Sequence, residues 1–245
     1  MPTVSSRTNT LVVASLSLRT LLTKLAFGPG IKFVYNPLDY AWEPHRAYLE
    51  RFGSSPKEVL LVGMNPGPWG MAQTGVPFGE VSIVRDWMRI VGKVNAPAHQ
   101  HPRVPVTGFD CRRSEVSGRR LWGWARDRFG TVESFFTRFF VVNYCPLMFL
   151  DTEGRNLTPD KVPMAYRTKL LKVCDEALRE SIRSLSPSLV VGVGGFAEAR
   201  VRSIVPSSDI RVGGILHPSP ASPAANRGWA AQAEAQLISL GIKMD

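Results

Sequence analysis

Val59-Leu60-Leu61-Val62-Gly63, running straight into Met64-Asn65-Pro66-Gly67-Pro68-Trp69-Gly70-Met71, is the stretch that decides the fold. Its first half has no polar alternate position. It therefore reads as a short strand buried on both faces, as in a parallel sheet, rather than as a half-exposed one. Its second half cannot continue as strand or helix, because Pro66, Gly67, Pro68 and Gly70 interrupt it. Three further apolar runs have the same character: Phe139–Tyr144 (FFVVNY), Leu189–Val193 (LVVGV) and Ile210–Leu216 (IRVGGIL). Helical stretches separate them: Val81–Val91, Gly118–Phe129, Thr158–Leu185 with Thr158 as cap, Phe196–Ile204 and, after the fourth run, Pro223–Leu240. Strand and helix alternate. The expectation is an α/β fold, a single domain over residues 1–245, with a mainly parallel four-stranded sheet flanked by helices on both faces.

The chain of 245 residues can bury one substantial core. Its 30 Lys and Arg against 20 Asp and Glu leave a net charge of +10, which favours a polyanionic partner. Arg112, Arg113, Arg119, Arg120, Arg126, Arg128 and Arg138 cluster loosely, without forming a basic tail. Cys111, Cys145 and Cys174 include no CxxC pair and are too few for a disulfide scaffold or an iron–sulfur cluster. A reducing, intracellular compartment fits them, whether a bacterial cytoplasm or a nucleus. His99 and His101 lie close in sequence but have no nearby carboxylate, so they read as surface residues, and no metal is expected.

No acidic residue precedes Asp39, and residues 1–32 are rich in Ser, Thr, Arg and Lys, as in a transit peptide. Against that, Leu11, Leu18, Leu21, Leu22 and Leu25 recur near helical spacing, which predicts a first helix at the periphery of the domain. Arg19 and Lys24 interrupt its apolar run, so it does not read as a membrane span. Lys93–Val116 carries Pro97, Pro102, Pro105 and Gly108 and should be irregular throughout. A loop that long in a compact domain is functional or mobile.

Ligands of open parallel sheets bind beyond the carboxyl ends of the strands. Three such ends carry chemistry. The first strand leads to Asn65, the second ends in Asn143-Tyr144-Cys145-Pro146, and the fourth leads into His217-Pro218-Ser219-Pro220. Singly, each polar residue could be structural: an amide organising a turn, or a histidine bonded at a strand end. Together, at one edge of a basic protein, they make a candidate site. None of these three turns holds Asp or Glu, so the chemistry should rest on charge stabilisation and water positioning more than on proton abstraction. The third strand end, Gly192-Val193-Gly194-Gly195-Phe196-Ala197, fits the G-x-G-x-x-A nucleotide-binding pattern. It lies at the wrong strand, however, and Asp209 precedes the next strand instead of ending it, so close strand–helix packing explains these glycines better.

Two of these segments resemble a known family. GMNPGPWGMAQTGVPFGEV (63–81) and HPSPASPAANRGW (217–229) are similar to the active-site motifs of the single-strand-selective monofunctional uracil-DNA glycosylases. YNPLDYAWEPH (35–45), SEVSG (114–118), NYCPL (143–147) and GRNLTP (154–159) extend the likeness over nearly the whole chain beyond the first helix.

The resemblance implies a monofunctional glycosylase that flips uracil from single- or double-stranded DNA and hydrolyses its N-glycosidic bond, without cofactor, as a monomer. Asn65 and His217 would be catalytic: Asn65 holding the attacking water, His217 donating to O2 of the leaving base. Many relatives in the wider superfamily carry Asp where Asn65 stands, so slower turnover is implied. Phe78 would stack on the base and Asn143 would read its edge, with Met64, Gly67 and Met71 completing the base site. Gly67 would leave room at C5 for 5-hydroxymethyluracil and 5-formyluracil. Ser219, Pro220, Ala221, Ser222, Pro223, Asn226 and Arg227 would form the DNA-invading segment, with Ser222 and Pro223 starting the last helix. Ala221 and Ser222 are small for a wedge, which points to single-stranded or poorly paired substrate. Neither active-site motif contains lysine, so no Schiff-base strand cleavage is implied.

Overall fold

A computed structural model describes residues 7–205 and 210–244 of the chain, with side chains from Thr10 onward; Asp209 lies outside the described residues. The first elements are helix α1 (Arg7–Leu22), strand β1 (Phe33–Tyr35), helices α2 (Pro37–Tyr40) and α3 (Trp42–Phe52), strand β2 (Val59–Gly63) and helix α4 (Met71–Thr74). Helices α5 (Val116–Phe129) and α6 (Val132–Arg138) lead to strands β3 (Phe139–Asn143), β4 (Met148–Leu150) and β5 (Asn156–Leu157). Helix α7 (Met164–Leu185), strand β6 (Leu189–Val193), helix α8 (Gly195–Ile204), strand β7 (Arg211–Ile215) and helix α9 (Trp229–Ser239) complete the order.

The four apolar runs form one parallel sheet in the order β3-β2-β6-β7. Every residue of β2 and of β6 is buried, and successive side chains of a strand point to opposite faces, so both faces of the sheet are covered. In-register pairing of Val59 with Phe139 and of Gly63 with Asn143 brings the carboxyl ends of β2 and β3 level. Pairing of Val193 with Ile215 does the same for β6 and β7. One cluster of buried apolar side chains runs from Leu11 to Met244.

The sequence reading needs several corrections. A second, antiparallel sheet in the order β1-β4-β5 was not foreseen, because its strands have only two or three residues each. Residues 81–91 do not form one α-helix. A π-helical turn occupies Ile83–Trp87, with the Met88 N–H donating to the Ile83 carbonyl. Arg89, at φ 54°, then turns the chain so that Met88 and Ile90 are both buried. Positions two apart lie on opposite sides of a helix, so an intact helix could not bury both.

Thr158 precedes a 3-10 turn (Pro159–Lys161) and its side chain caps nothing. Helix α7 starts only at Met164, since Pro163 keeps Val162 extended. The last helix starts late as well. Ser222 Oγ accepts from the N–H of Ala225, so it tethers a 3-10 turn, and Gly228 at φ 100° separates that turn from α9.

The first helix is not wholly at the surface: Leu11 and Leu22 are buried and α1 packs on α7 and α3, while Val13, Leu16 and Leu21 are exposed. His101 is not a surface residue either. It is buried, its Nε2 lies 3.1 Å from the Thr152 carbonyl, and its Nδ1 accepts from the Arg103 N–H. Among the described residues, no helix is long and apolar enough to cross a membrane.

Candidate active site

The turn after β2, the end of β3 and the segment after β7 converge on one pocket, which encloses about 870 Å³ including its open mouth. Of the residues singled out from sequence, Met64, Asn65, Gly67, Met71, Phe78, Asn143, His217, Ser219 and Pro220 line it. Ala221, Ser222, Pro223, Asn226 and Arg227 do not; they belong to the loop beside it. That loop is held from α5. The Arg120 guanidinium donates to the carbonyls of Pro218 and Ser219 and, at 2.8 Å, to Asn226 Oδ1. Asn226 Nδ2 donates to the Pro220 carbonyl, so both ends of this amide are spent on loop structure. Arg227 is exposed.

Asn65 is aimed by its surroundings. Its Nδ2 is within reach of the carbonyls of Leu147 (3.3 Å) and Leu157 (3.5 Å), which leaves Oδ1 as the acceptor for an incoming group. At the far side, His217 Nδ1 accepts from the Ser219 N–H at 3.1 Å. Burial holds the ring's pKa down to about 4, so it is neutral at physiological pH. With Nδ1 accepting, the ring hydrogen must sit on Nε2. His217 is therefore a neutral N–H donor.

Phe78 and Asn143 pack together. A Cβ at Gly63 would fall 2.3 Å from Asn143 Oδ1 and 2.5 Å from Phe78 Cε2, so only glycine lets the two meet above the strand end. Phe78 is buried at φ 54°, a left-handed backbone that an aromatic residue rarely adopts. Strain of this kind persists where the surroundings enforce it, and it clusters at functional sites. Here the Pro77 carbonyl accepts from Trp122 Nε1, and Gly118 of α5 comes so close that a Cβ there would lie 2.0 Å from the Phe78 carbonyl oxygen. Among the described residues, Asn143 Nδ2 has only the Met71 thioether, at 3.2 Å, and Oδ1 is buried with no partner. An unsatisfied buried amide oxygen costs about 1–3 kcal/mol, so its presence in a pocket marks a place where a donor from a ligand belongs.

The glycine pattern after β6 divides into two roles. A Cβ at Gly192 would lie 2.1 Å from the Glu198 backbone nitrogen, so this glycine serves close packing of α8 on the sheet. Gly194, at φ 90°, instead backs the catalytic candidate: a Cβ there would come within 2.9 Å of His217 Cβ.

Sequence reasoning missed Pro68, Glu115, Ser117, Asn156 and Thr158, all of which line the pocket. Asn156 Nδ2 donates to the Pro66 carbonyl and so braces the Asn65 turn. Glu115 is mostly buried, which raises its carboxyl pKa, and its Oε2 accepts from the Trp69 N–H at 3.3 Å. Glu115 and Ser117 lie in SEVSG and Asn156 and Thr158 in GRNLTP, segments that carry the resemblance without a site role of their own, whereas Pro68 lies in the first motif as a turn residue.

Residues 50–237 match the profile of the uracil DNA glycosylase superfamily. The single-strand selective monofunctional uracil-DNA glycosylase of Rattus norvegicus is 51% identical over 229 residues, covering 93% of this chain and 82% of that protein. The protein so named in Bos taurus is 52% identical over 229 residues, covering 93% of this chain and 84% of its own length. The crystal structure of wild-type SMUG2 from Pedobacter heparinus superposes with a TM-score of 0.62 over 93% of this chain and 98% of that one. At 18% identity, that likeness speaks for the fold.

Proposed function

Because the chain belongs to the single-strand-selective monofunctional uracil-DNA glycosylase family of the uracil-DNA glycosylase superfamily, we propose that its pocket receives a uracil flipped out of DNA and that four side chains share the work of releasing it. The enzyme is a hydrolase that cleaves the N-glycosidic bond and leaves an abasic site for base excision repair. A base inside a duplex cannot be reached, so extrusion costs a few kcal/mol, least where pairing is absent. The net charge of +10 supports binding to the phosphate backbone.

The observation that carries the reading is the unpartnered Oδ1 of Asn143 beside an aromatic floor. Uracil offers a donor at N3 and an acceptor at O4. Asn143 matches both, with Oδ1 accepting from N3–H and Nδ2 leaving the Met71 thioether to donate to O4. Cytosine has the opposite polarity at both atoms. Phe78 stacks on the ring. As the glycosidic bond lengthens, negative charge gathers on the base, and the neutral His217 donates Nε2–H to O2, an oxyanion-type role. Asn65, its Nδ2 engaged by backbone carbonyls, accepts from the attacking water through Oδ1 and orients it toward the sugar. Asn65 carries no charge to stabilise the cationic sugar, and turnover is correspondingly slow. With no side chain at Gly67, the Glu115 carboxylate stands beside that turn, and 5-substituted uracils are accepted there. Ser219 to Pro223, with Arg227, lie along the DNA beside the pocket, and the small Ala221 favours single-stranded substrate. One chain supplies every group, so a monomer suffices.

A single-stranded oligonucleotide with one uracil tests the reading. Strand cleavage should appear only after alkali treatment. Absence of cleavage would overturn the proposed activity, and cleavage without alkali would overturn its monofunctional character.

A further inference from the structure

We propose that Glu115 is the specificity-determining residue at C5 of the base: its carboxylate fills the recess that Gly67 leaves and accepts a hydrogen bond from a 5-hydroxymethyl group. The inference rests on the base orientation given above. With O2 at His217 and N3 and O4 at Asn143, the C5–C6 edge is left to the rest of the pocket wall, to which Gly67 and Glu115 belong. That turn is built around one side chain from a distant part of the chain. A Cβ at Gly67 would lie 2.3 Å from Glu115 Oε2, 2.8 Å from Cδ and 3.0 Å from Oε1, and a Cβ at Gly70 would lie 3.0 Å from Cγ. So the space opened by the missing side chain at position 67 is neither empty nor simply solvent. It holds a carboxylate.

Three facts favour a role beyond shape. Glu115 lines the same pocket as Asn143 and His217. Among the described residues it forms no ion pair, so its charge is not spent on structure. Oε2 is anchored by the Trp69 N–H, which fixes the carboxylate in place while leaving it acceptor capacity. An acceptor-only group at C5 ranks substituents by polarity. A hydroxymethyl group can donate to it. A methyl group would strip it of hydrogen bonding and give nothing back, which disfavours thymine. A formyl oxygen, itself an acceptor, should be tolerated less well than a hydroxymethyl group.

E115Q keeps size and shape but supplies a donor. In single-stranded oligonucleotides with one uracil, 5-hydroxymethyluracil, 5-formyluracil or thymine, the readout is the ratio of kcat/KM values within one preparation. The ratio of hydroxymethyluracil to uracil should fall roughly 10- to 100-fold, the worth of a charge-assisted hydrogen bond. The ratio of formyluracil to hydroxymethyluracil should rise, an outcome that loss of folding or of general pocket shape cannot produce. E115A, by removing the carboxylate altogether, should raise thymine release relative to hydroxymethyluracil. Equal falls on all substrates, or unchanged ratios in E115Q, would overturn the assignment while wild-type release of uracil upheld the underlying function. A wild-type protein that releases no uracil would sink that function and this inference with it.

Discussion

Two pairs of like residues separate the candidate pocket from the scaffold behind it. Gln73 and Asn143 are both amides in the segments around the pocket, yet Gln73 is saturated. Its Nε2 donates to the carbonyls of Pro68 and Pro105, and its Oε1 accepts from the N–H groups of Thr107 and Gly108. Among the described residues, Asn143 has one thioether contact and an oxygen with no partner. His45 and His217 repeat the contrast. Burial lowers both pKa values to about 4. In His45, however, both ring nitrogens are used: Nδ1 donates to the Gly75 carbonyl at 2.8 Å, and Nε2 accepts from Ser15 Oγ at 2.9 Å. His217 carries its hydrogen on the opposite nitrogen and has no protein acceptor for it among the described hydrogen bonds. Completion, more than burial, distinguishes structure from function here: a satisfied polar group locks the fold, and an unsatisfied one awaits a ligand.

The contrast breaks first, if it is wrong, at His217. H217A should lower the single-turnover rate of uracil release by roughly 100- to 1000-fold, the usual worth of an oxyanion donor, with little change in melting temperature. A rate within a few fold of wild type would remove His217 from the chemistry.

The amides supply the next test. Q73L leaves the N–H groups of Thr107 and Gly108 unpaired and should cost about 3 kcal/mol of stability, seen as a lower urea midpoint. N143L removes an orphaned oxygen instead. It should abolish uracil release while leaving the urea midpoint at or above that of wild type. Equal destabilisation by the two changes would erase the distinction drawn between them.

The smallest effect concerns pH. Each ring binds a proton more readily when unfolded, near pH 6.5, than when folded, near pH 4. Their contribution to stability is therefore full above 6.5 and is lost as pH falls toward 4. Between pH 7.5 and 5 the loss should be about 2 kcal/mol per ring. H217N should remove one share of that pH dependence, which urea titrations at the two pH values would measure. A slope unchanged by H217N would mean that burial does not hold this ring's pKa below its unfolded value.

Much of the fold was legible because burial on both faces leaves an unmistakable trace: Val59–Gly63 and Leu189–Val193 are strands over the very residues their apolar runs mark. Asn65, Asn143 and His217 could be found because strand ends in a parallel sheet share one edge. The short antiparallel sheet escaped notice since two or three residues carry no periodicity. The loop over residues 93–116 looked irregular and is so apart from a 3-10 turn at Gly108–Asp110, yet Gln73 and the Tyr35 hydroxyl pin it to the body of the protein. Pinned in this way, it delivers Glu115 to Gly67. No spacing between residues 67 and 115 could have announced that contact.

The linear chain determined the order of the parallel strands and their helices, the net positive charge and the turns that carry the candidate site residues. These follow from local apolar pattern, proline and glycine geometry and charge, each readable within a few residues. Tertiary structure decided which polar groups are completed and which are left open, which nitrogen of His217 bears the hydrogen, and what fills the space beside Gly67. A hydrogen bond is satisfied or not by whatever the fold brings within about 3 Å. For this pocket the groups that matter arrive from segments far apart in sequence.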